Sequence, residues 1–179
     1  MASNETPIGV RPFARADGVR LGIVWIVSFA LFVGNLHYPV CGTLWLATMI
    51  FTPFYVAILT QRYAVNSGEN PGYWKCYAHS MLTVCYASLI LAVAQWAYFQ
   101  YLDHGLLVES YASALSDKEF VGRLESMGYP KNMAAEFAET LRKMRPIDMA
   151  LQFLWSNILA GIIMAFTTAL YASPKKRWK

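Results

Sequence analysis

The sequence predicts an all-α membrane protein: a four-helix bundle of transmembrane helices, with a short helical extramembrane segment between spans three and four. Three observations lead there. Four apolar runs, about 19–36, 40–60, 77–102 and 147–173, each approach or exceed the ~20 residues a helix needs to cross a bilayer core. Apolar residues make up 56% of the chain and charged residues only 15%, a balance that suits lipid-facing surface better than a soluble fold. Lys and Arg gather in blocks beside those runs. With roughly half of 179 residues spent on spans, residues 1–179 hold a single membrane domain and a polar segment over 103–145, without room for a separate enzyme domain.

Residues 1–18 carry Pro7, Pro12 and scattered charges, and no small-residue cleavage pattern follows at signal-peptide distance. The first span is therefore read as retained. Asn35, His37, Tyr38, Pro39 and Gly42 crowd between the first two runs, which makes spans one and two a helical hairpin. In the second span Pro53 removes a backbone donor beside Thr52, whose hydroxyl can satisfy the freed carbonyl, so a kink is expected at 52–54. Residues 61–75 read as a loop, since Asn66, Ser67, Gly68, Asn70, Pro71 and Gly72 are turn formers. Aromatics form belts, with Tyr63, Tyr73 and Trp74 at one level, Trp96, Tyr98, Phe99 and Tyr101 at the other, and Trp178 beyond the last span.

Punctuation within 103–145 predicts two or three short helices. Ser116 and Glu119 have the spacing of a capping box, and Phe120, Val121, Leu124 and Met127 then share one face. Gly128 ends that helix. Pro130 suits the first position of the next, in which Met133, Phe137, Leu141 and Met144 recur at helical spacing up to Arg145. These two amphipathic helices are expected to pack on each other or to lie on the membrane surface.

An even span count puts both termini on one side. With that side in the cytoplasm, nine Lys and Arg lie inside and six outside, the six diluted by seven acids from Asp103 to Glu139. The net charge of +4 is explained by anionic lipid headgroups at span ends, which leaves nucleic acid without a case. Cys41 and Cys76 would lie at opposite membrane faces, with Cys85 deeper, so no disulfide framework is expected.

Candidate functional residues concentrate in the fourth span. Gln152, Ser156 and Asn157 are polar side chains that should face the bundle interior, as a small pocket or as interhelical hydrogen bonds. Asn157, Gly161, Ala165 and Ala169 recur every four residues, a small-residue stripe that admits another backbone. Asp148, just after Pro146 and near Arg145, suits the positive end of that helix. His79 falls in the third span, more often a packing histidine than a titrating one. Met127, Tyr129, Phe137 and Leu141 form a possible partner-docking surface; the Met127-Gly128-Tyr129 turn resembles that of ubiquitin-associated modules, but Pro146 opens a span where a third helix should follow. No catalytic, cofactor-binding or metal-ligating set is legible: Ser80 and Ser88 lack a base in their layer, and His37 and His104 lack ligand spacing.

One family gathers these features. Tyr98-Phe99-Gln100-Tyr101-Leu102-Asp103-His104-Gly105 at the close of the third span, Arg145-Pro146 at the start of the fourth, and Asn157 through Gly161 ahead of Lys175-Lys176-Arg177 resemble the domain of unknown function 4199 family, four-span membrane proteins of Bacteroidota. That resemblance implies a bacterial inner membrane and supplies no catalytic residue. The expectation is a non-enzymatic accessory or scaffold protein without cofactor, whose partners are the lipid bilayer and another membrane protein or a second copy. A small transporter or lipid-handling protein, using Gln152, Asn157 and His79 around a polar pocket, is the alternative.

Overall fold

A helix that crosses lipid satisfies its own backbone donors and acceptors, so an apolar run stays helical until turn formers or water intervene. The computed structural model describes residues 9–67, 71–130 and 132–173, and among these it is all-helical, as the sequence predicts. Four helices are long and apolar enough to cross a membrane: α1 (Val10–Gly34), α2 (Pro39–Asn66), α3 (Tyr73–Tyr101) and α7 (Pro146–Ala172). Between the last two lie α4 (Leu106–Leu115), α5 (Lys118–Ser126) and α6 (Met133–Lys143). Even α1, at ~1.5 Å per residue, reaches about 37 Å and overhangs a ~30 Å hydrocarbon core.

That overhang corrects two boundaries. α1 starts at Val10 rather than near residue 19, because Pro12 sits in the first turn, where its missing donor costs nothing, and Arg11, Arg15 and Arg20 stay exposed. The loop expected over 61–75 is mostly helix. α2 continues through Arg62 and Tyr63 to Asn66, and α3 starts at Tyr73. Gly68 and Asn70 of the expected loop, and Trp178 of the expected belt, lie outside the described residues.

Contacts divide the chain into two units, one running to Ala94 and resuming at Phe153, the other Gln95–Gln152. In the first, α1 and α2 form the expected hairpin, closed along its length by Phe13 on Tyr63 (5.6 Å between centroids), Trp25 Nε1 donating to Thr52 (3.4 Å), Ser28 and Thr48 (2.6 Å), and Phe32 on Trp45 (5.1 Å). Pro53 is accommodated inside α2, and the Thr52 hydroxyl donates to the carbonyl of Thr48 (2.9 Å) rather than to that of Met49, which the proline leaves without its donor. α3 is the central helix: 44% of its apolar stretch is buried, against 22% for α2 and α7. Leu21, Val56, Leu59, Val84 and Ala87 make the core, while Ile23, Val27, Phe51, Phe54, Ile163 and Leu170 stay exposed, as lipid-facing side chains do. Two glycines set the approach to α3. A Cβ on Gly18 would lie 2.5 Å from Tyr86 Cβ and 3.1 Å from the Thr83 carbonyl oxygen, and one on Gly161 would collide with Val84.

In the second unit Asp103, 2% exposed, ties the end of α3 to the start of α4. Its Oδ1 accepts from the Leu107 N–H (2.9 Å) and from the Tyr98 hydroxyl (2.9 Å), while His104 and Gly105 turn the chain with φ of +46° and +83°. α4 packs on α6, with Leu107, Ala112, Ala134 and Ala138 buried, whereas α5 buries no residue. The expected packing of the two amphipathic helices against each other is thus replaced by α4 against α6. The expected capping box shifts by one residue as well: Ser116 closes α4 by donating to the Ala112 carbonyl, and Asp117 caps α5 by accepting from the Glu119 N–H at 2.7 Å. Gly128 (φ +88°) ends α5 through paired bonds, Gly128 N to Glu125 O and Tyr129 N to Leu124 O. Pro130 lies ahead of α6, which starts at Met133 after Asn132, and α6 stops at Lys143 because Pro146 forces the residues before it out of helix.

Candidate functional site

Ionisable side chains inside a membrane bundle are costly to desolvate, so where they occur they are paired and mark function by default. The first unit holds such a set. Asp17 of α1 is 3% exposed and His79 of α3 is fully buried, and their Oδ2 and Nε2 lie 3.3 Å apart, within ion-pair range but off the line of a hydrogen bond. The other carboxylate oxygen of Asp17 accepts from Arg20 Nη1 at 2.7 Å, one helical turn along α1. On its second nitrogen the imidazole meets Thr60 of α2, Nδ1 to Oγ1 at 3.4 Å, and the Tyr63 ring stacks on it at 4.6 Å and 3°. Thr60 Oγ1 lies 2.6 Å from Ser80 Oγ, and Thr168 of α7 donates to Ser80 at 3.0 Å. All four long helices thus contribute to one chain of polar atoms. On the same helix Thr83 Oγ1 and Ser88 Oγ are buried without a hydrogen-bond partner.

Position along the helices explains how lipid tolerates this set. Asp17 lies seven residues from the start of α1, His79 six from the start of α3, Thr60 six from the end of α2, so the network sits about 10 Å inside the helix ends. The close approach of α1 to α3 at Gly18 seats Asp17 beside His79. Hydroxyl, imidazole and carboxylate occur in the order of a nucleophilic triad. Thr60 is nevertheless 0% exposed and its hydroxyl is spent on the Val56 carbonyl (2.9 Å) beside Ser80, which leaves no path for a substrate carbonyl. What the arrangement does is keep a carboxylate and an imidazole away from water and join the four long helices through their side chains.

The second unit has a cleft of about 370 Å³ with apolar walls, Phe99, Val108 and Met149, and a charged pair at its edge. Arg142 donates through Nε and Nη2 to both oxygens of Glu109 (2.9 and 2.8 Å), a planar fork joining the end of α6 to the start of α4. That pairing holds the Glu109 carboxyl below its ordinary range and pushes the Arg142 guanidinium up. Both residues also sit at the helix ends where their charge is favoured.

A family model described as protein of unknown function (DUF4199) matches residues 17–172. The chain belongs to that family. No curated protein and no solved structure matches it.

In this DUF4199 protein the residues singled out from sequence are dispersed. His79 belongs to the buried network, and α7 reaches that network through Thr168. Gly161, Ala165 and Ala169 are buried within the bundle, Gly161 against Val84 of α3, so the small-residue stripe is occupied inside the chain. Asn157 is half-buried, and Gln152 and Ser156 are exposed on α7. Asp148 accepts from the Arg145 backbone N–H (3.2 Å) and from its guanidinium (2.8 and 3.0 Å), fixing the first turn of α7. Met127, Tyr129 and Phe137 are exposed and Leu141 half-buried. The sequence reading missed Asp17, Thr60 and Tyr63. Asp17 fell among flanking charges because the span was started too late, and Tyr63, assigned to the interfacial belt, turns inward because α2 is longer than expected. The spacing of Asp17 and Arg20, one turn apart just before an apolar run, was the available signal.

Proposed function

We propose that this DUF4199 protein is a non-enzymatic accessory or scaffold component of a bacterial inner membrane, with both termini cytoplasmic, that docks another membrane protein through its second unit. One observation carries this reading. α5 buries no residue, and Met127, Tyr129, Met133 and Phe137, between 47% and 72% exposed, follow one another across the turn into α6. Apolar side chains gathered at a turn outside the spans favour a protein surface as their cover. The excess of Lys and Arg beside the helix ends that carry the termini supports the orientation.

Photo-crosslinking from Tyr129 and Phe137 in intact cells tests it. The expected result is a discrete protein adduct at both positions, lost on Met127→Lys and Met133→Lys; adducts to lipid alone, or none, reject the docking role. The transporter or lipid-handling alternative draws support from the buried network, which places charge and hydroxyls across all four long helices. Solute flux in proteoliposomes that is abolished by His79→Gln, with folding intact, would favour it over docking.

A further inference from the structure

The cleft of the second unit borders a carboxylate whose bonding is incomplete. Asp103 is 2% exposed, and all but one of its polar atoms are bound within the chain: its N–H donates to the Tyr98 carbonyl (3.0 Å), its carbonyl accepts from the Leu106 N–H (2.9 Å), and Oδ1 takes the Leu107 N–H and the Tyr98 hydroxyl at 2.9 Å each. Oδ2 meets no donor among the described residues. Nor is it sealed, because the enclosed side-chain atoms without a partner are His79 Nε2, Thr83 Oγ1, Ser88 Oγ and Gln95 Oε1. The open space that Asp103 borders is the cleft, so Oδ2 is the acceptor that the cleft offers.

Formal charge gives the sign of the missing group. The ionisable residues lining the cleft are Asp103, Glu109 and Arg142, and the last two neutralise each other in their fork, which leaves one negative charge without a counterpart. A cation that also donates a hydrogen bond removes both deficits. A metal ion does not fit: one oxygen is too few ligands, and among the described residues no three His, Cys, Asp or Glu side chains are grouped to hold one. Phe99, Val108 and Met149 supply apolar walls for a hydrocarbon stem, in a volume of about 370 Å³ that suits a small molecule. The cleft also lies where α3 ends, after the exposed Trp96 and Tyr101, and where α7 begins, the level at which lipid headgroups meet water.

We propose that this cleft binds a primary ammonium group on an apolar stem, with Oδ2 of Asp103 accepting from its N–H and Phe99, Val108 and Met149 covering the stem. Two sources carry that chemistry, the headgroup of an ethanolamine phospholipid and a water-soluble alkylamine. Met127, Tyr129, Met133 and Phe137 do not line the cleft, so the site goes beyond docking and is tested separately from it.

Native mass spectrometry of the full chain in detergent provides the test. The chain is offered an equimolar mixture of phosphatidylethanolamine and phosphatidylcholine, which differ in whether the ammonium can donate a hydrogen bond, and separately n-octylamine or n-octanol. Retention of one ethanolamine lipid in about tenfold preference to the choline lipid names the lipid source, and a like preference for octylamine over octanol, with no lipid selected, names the soluble one. Either preference is expected to vanish in Asp103→Asn, whose carbonyl oxygen can still accept from Leu107 and Tyr98 while an amide donor replaces Oδ2. The proposal is overturned if neither amine is kept in preference to its counterpart, or if the preference survives Asp103→Asn. Should that variant fail to fold, Val108→Trp fills the cleft and leaves the carboxylate in place; undiminished retention there overturns the proposal as well.

Discussion

Two ion pairs of this chain share a chemistry and differ in setting. In the first unit Asp17 is sealed between α1 and α3, where Arg20 and His79 meet its two oxygens. In the second unit Glu109 meets Arg142 in a better-aligned, two-bonded fork, yet both side chains stand about half exposed, at 60% and 45%. Geometry alone ranks the fork higher; burial reverses the order. A pair in water screens its charges and gains little from meeting, whereas a buried pair that loses one partner strands the other in a low dielectric.

The comparison is broken most directly by Asp17→Ala. It leaves His79 without its carboxylate and is expected to cost about 3–5 kcal/mol, read as unfolding free energy in detergent or bicelles. A loss no larger than that of Glu109→Ala would erase the distinction between the two settings. Gly18→Ala comes next: its new Cβ meets the Tyr86 Cβ and the Thr83 carbonyl, neither able to swing away, so strain of about 1–3 kcal/mol and a displaced α1 are expected. Retained stability with unchanged α1–α3 crosslinking would contradict the close approach. In the second unit Asp117→Ala removes the cap of α5 and should cost about 1 kcal/mol, seen as faster amide exchange over Lys118–Val121 with the long helices unaffected.

The smallest effect concerns acid. Because Arg142 depresses the Glu109 carboxyl, that pair contributes fully above the ordinary glutamate value of 4.5 and loses its contribution as the pH falls through the lower, folded value. Amide exchange at Ala112 and Ala138, corrected for intrinsic rates, should therefore rise modestly as the pH falls below about 4.5, and Glu109→Gln should remove the pH dependence. An identical pH response in that variant assigns the effect elsewhere.

Period and length made the long helices legible, since runs such as 77–102 admit no soluble alternative. Their ends were less so, because Arg11, Arg15 and Arg62 read as flanking charge while a helix that overhangs the bilayer carries such side chains easily. That error hid half of the candidate site. His79 was visible as the histidine of a span, but its partners Asp17 and Thr60 sit 62 and 19 residues away in sequence, and no local pattern encodes a contact between helices. Asn157 and Gly161 had the reverse history. Their periodicity was plain, yet whether a small-residue stripe faces a neighbour of the same chain or another molecule depends on tertiary packing, which seats Gly161 on Val84.

The parallel stack of Tyr63 on His79, 4.6 Å between ring centres, has a practical consequence. Protons held over the face of a phenol feel its ring current, so the imidazole carbon-bound protons of His79 should resonate upfield of those of His37 and His104, and Tyr63→Leu should return them to the crowd. The bundle thus carries a built-in, label-free marker for the environment of its most deeply enclosed base.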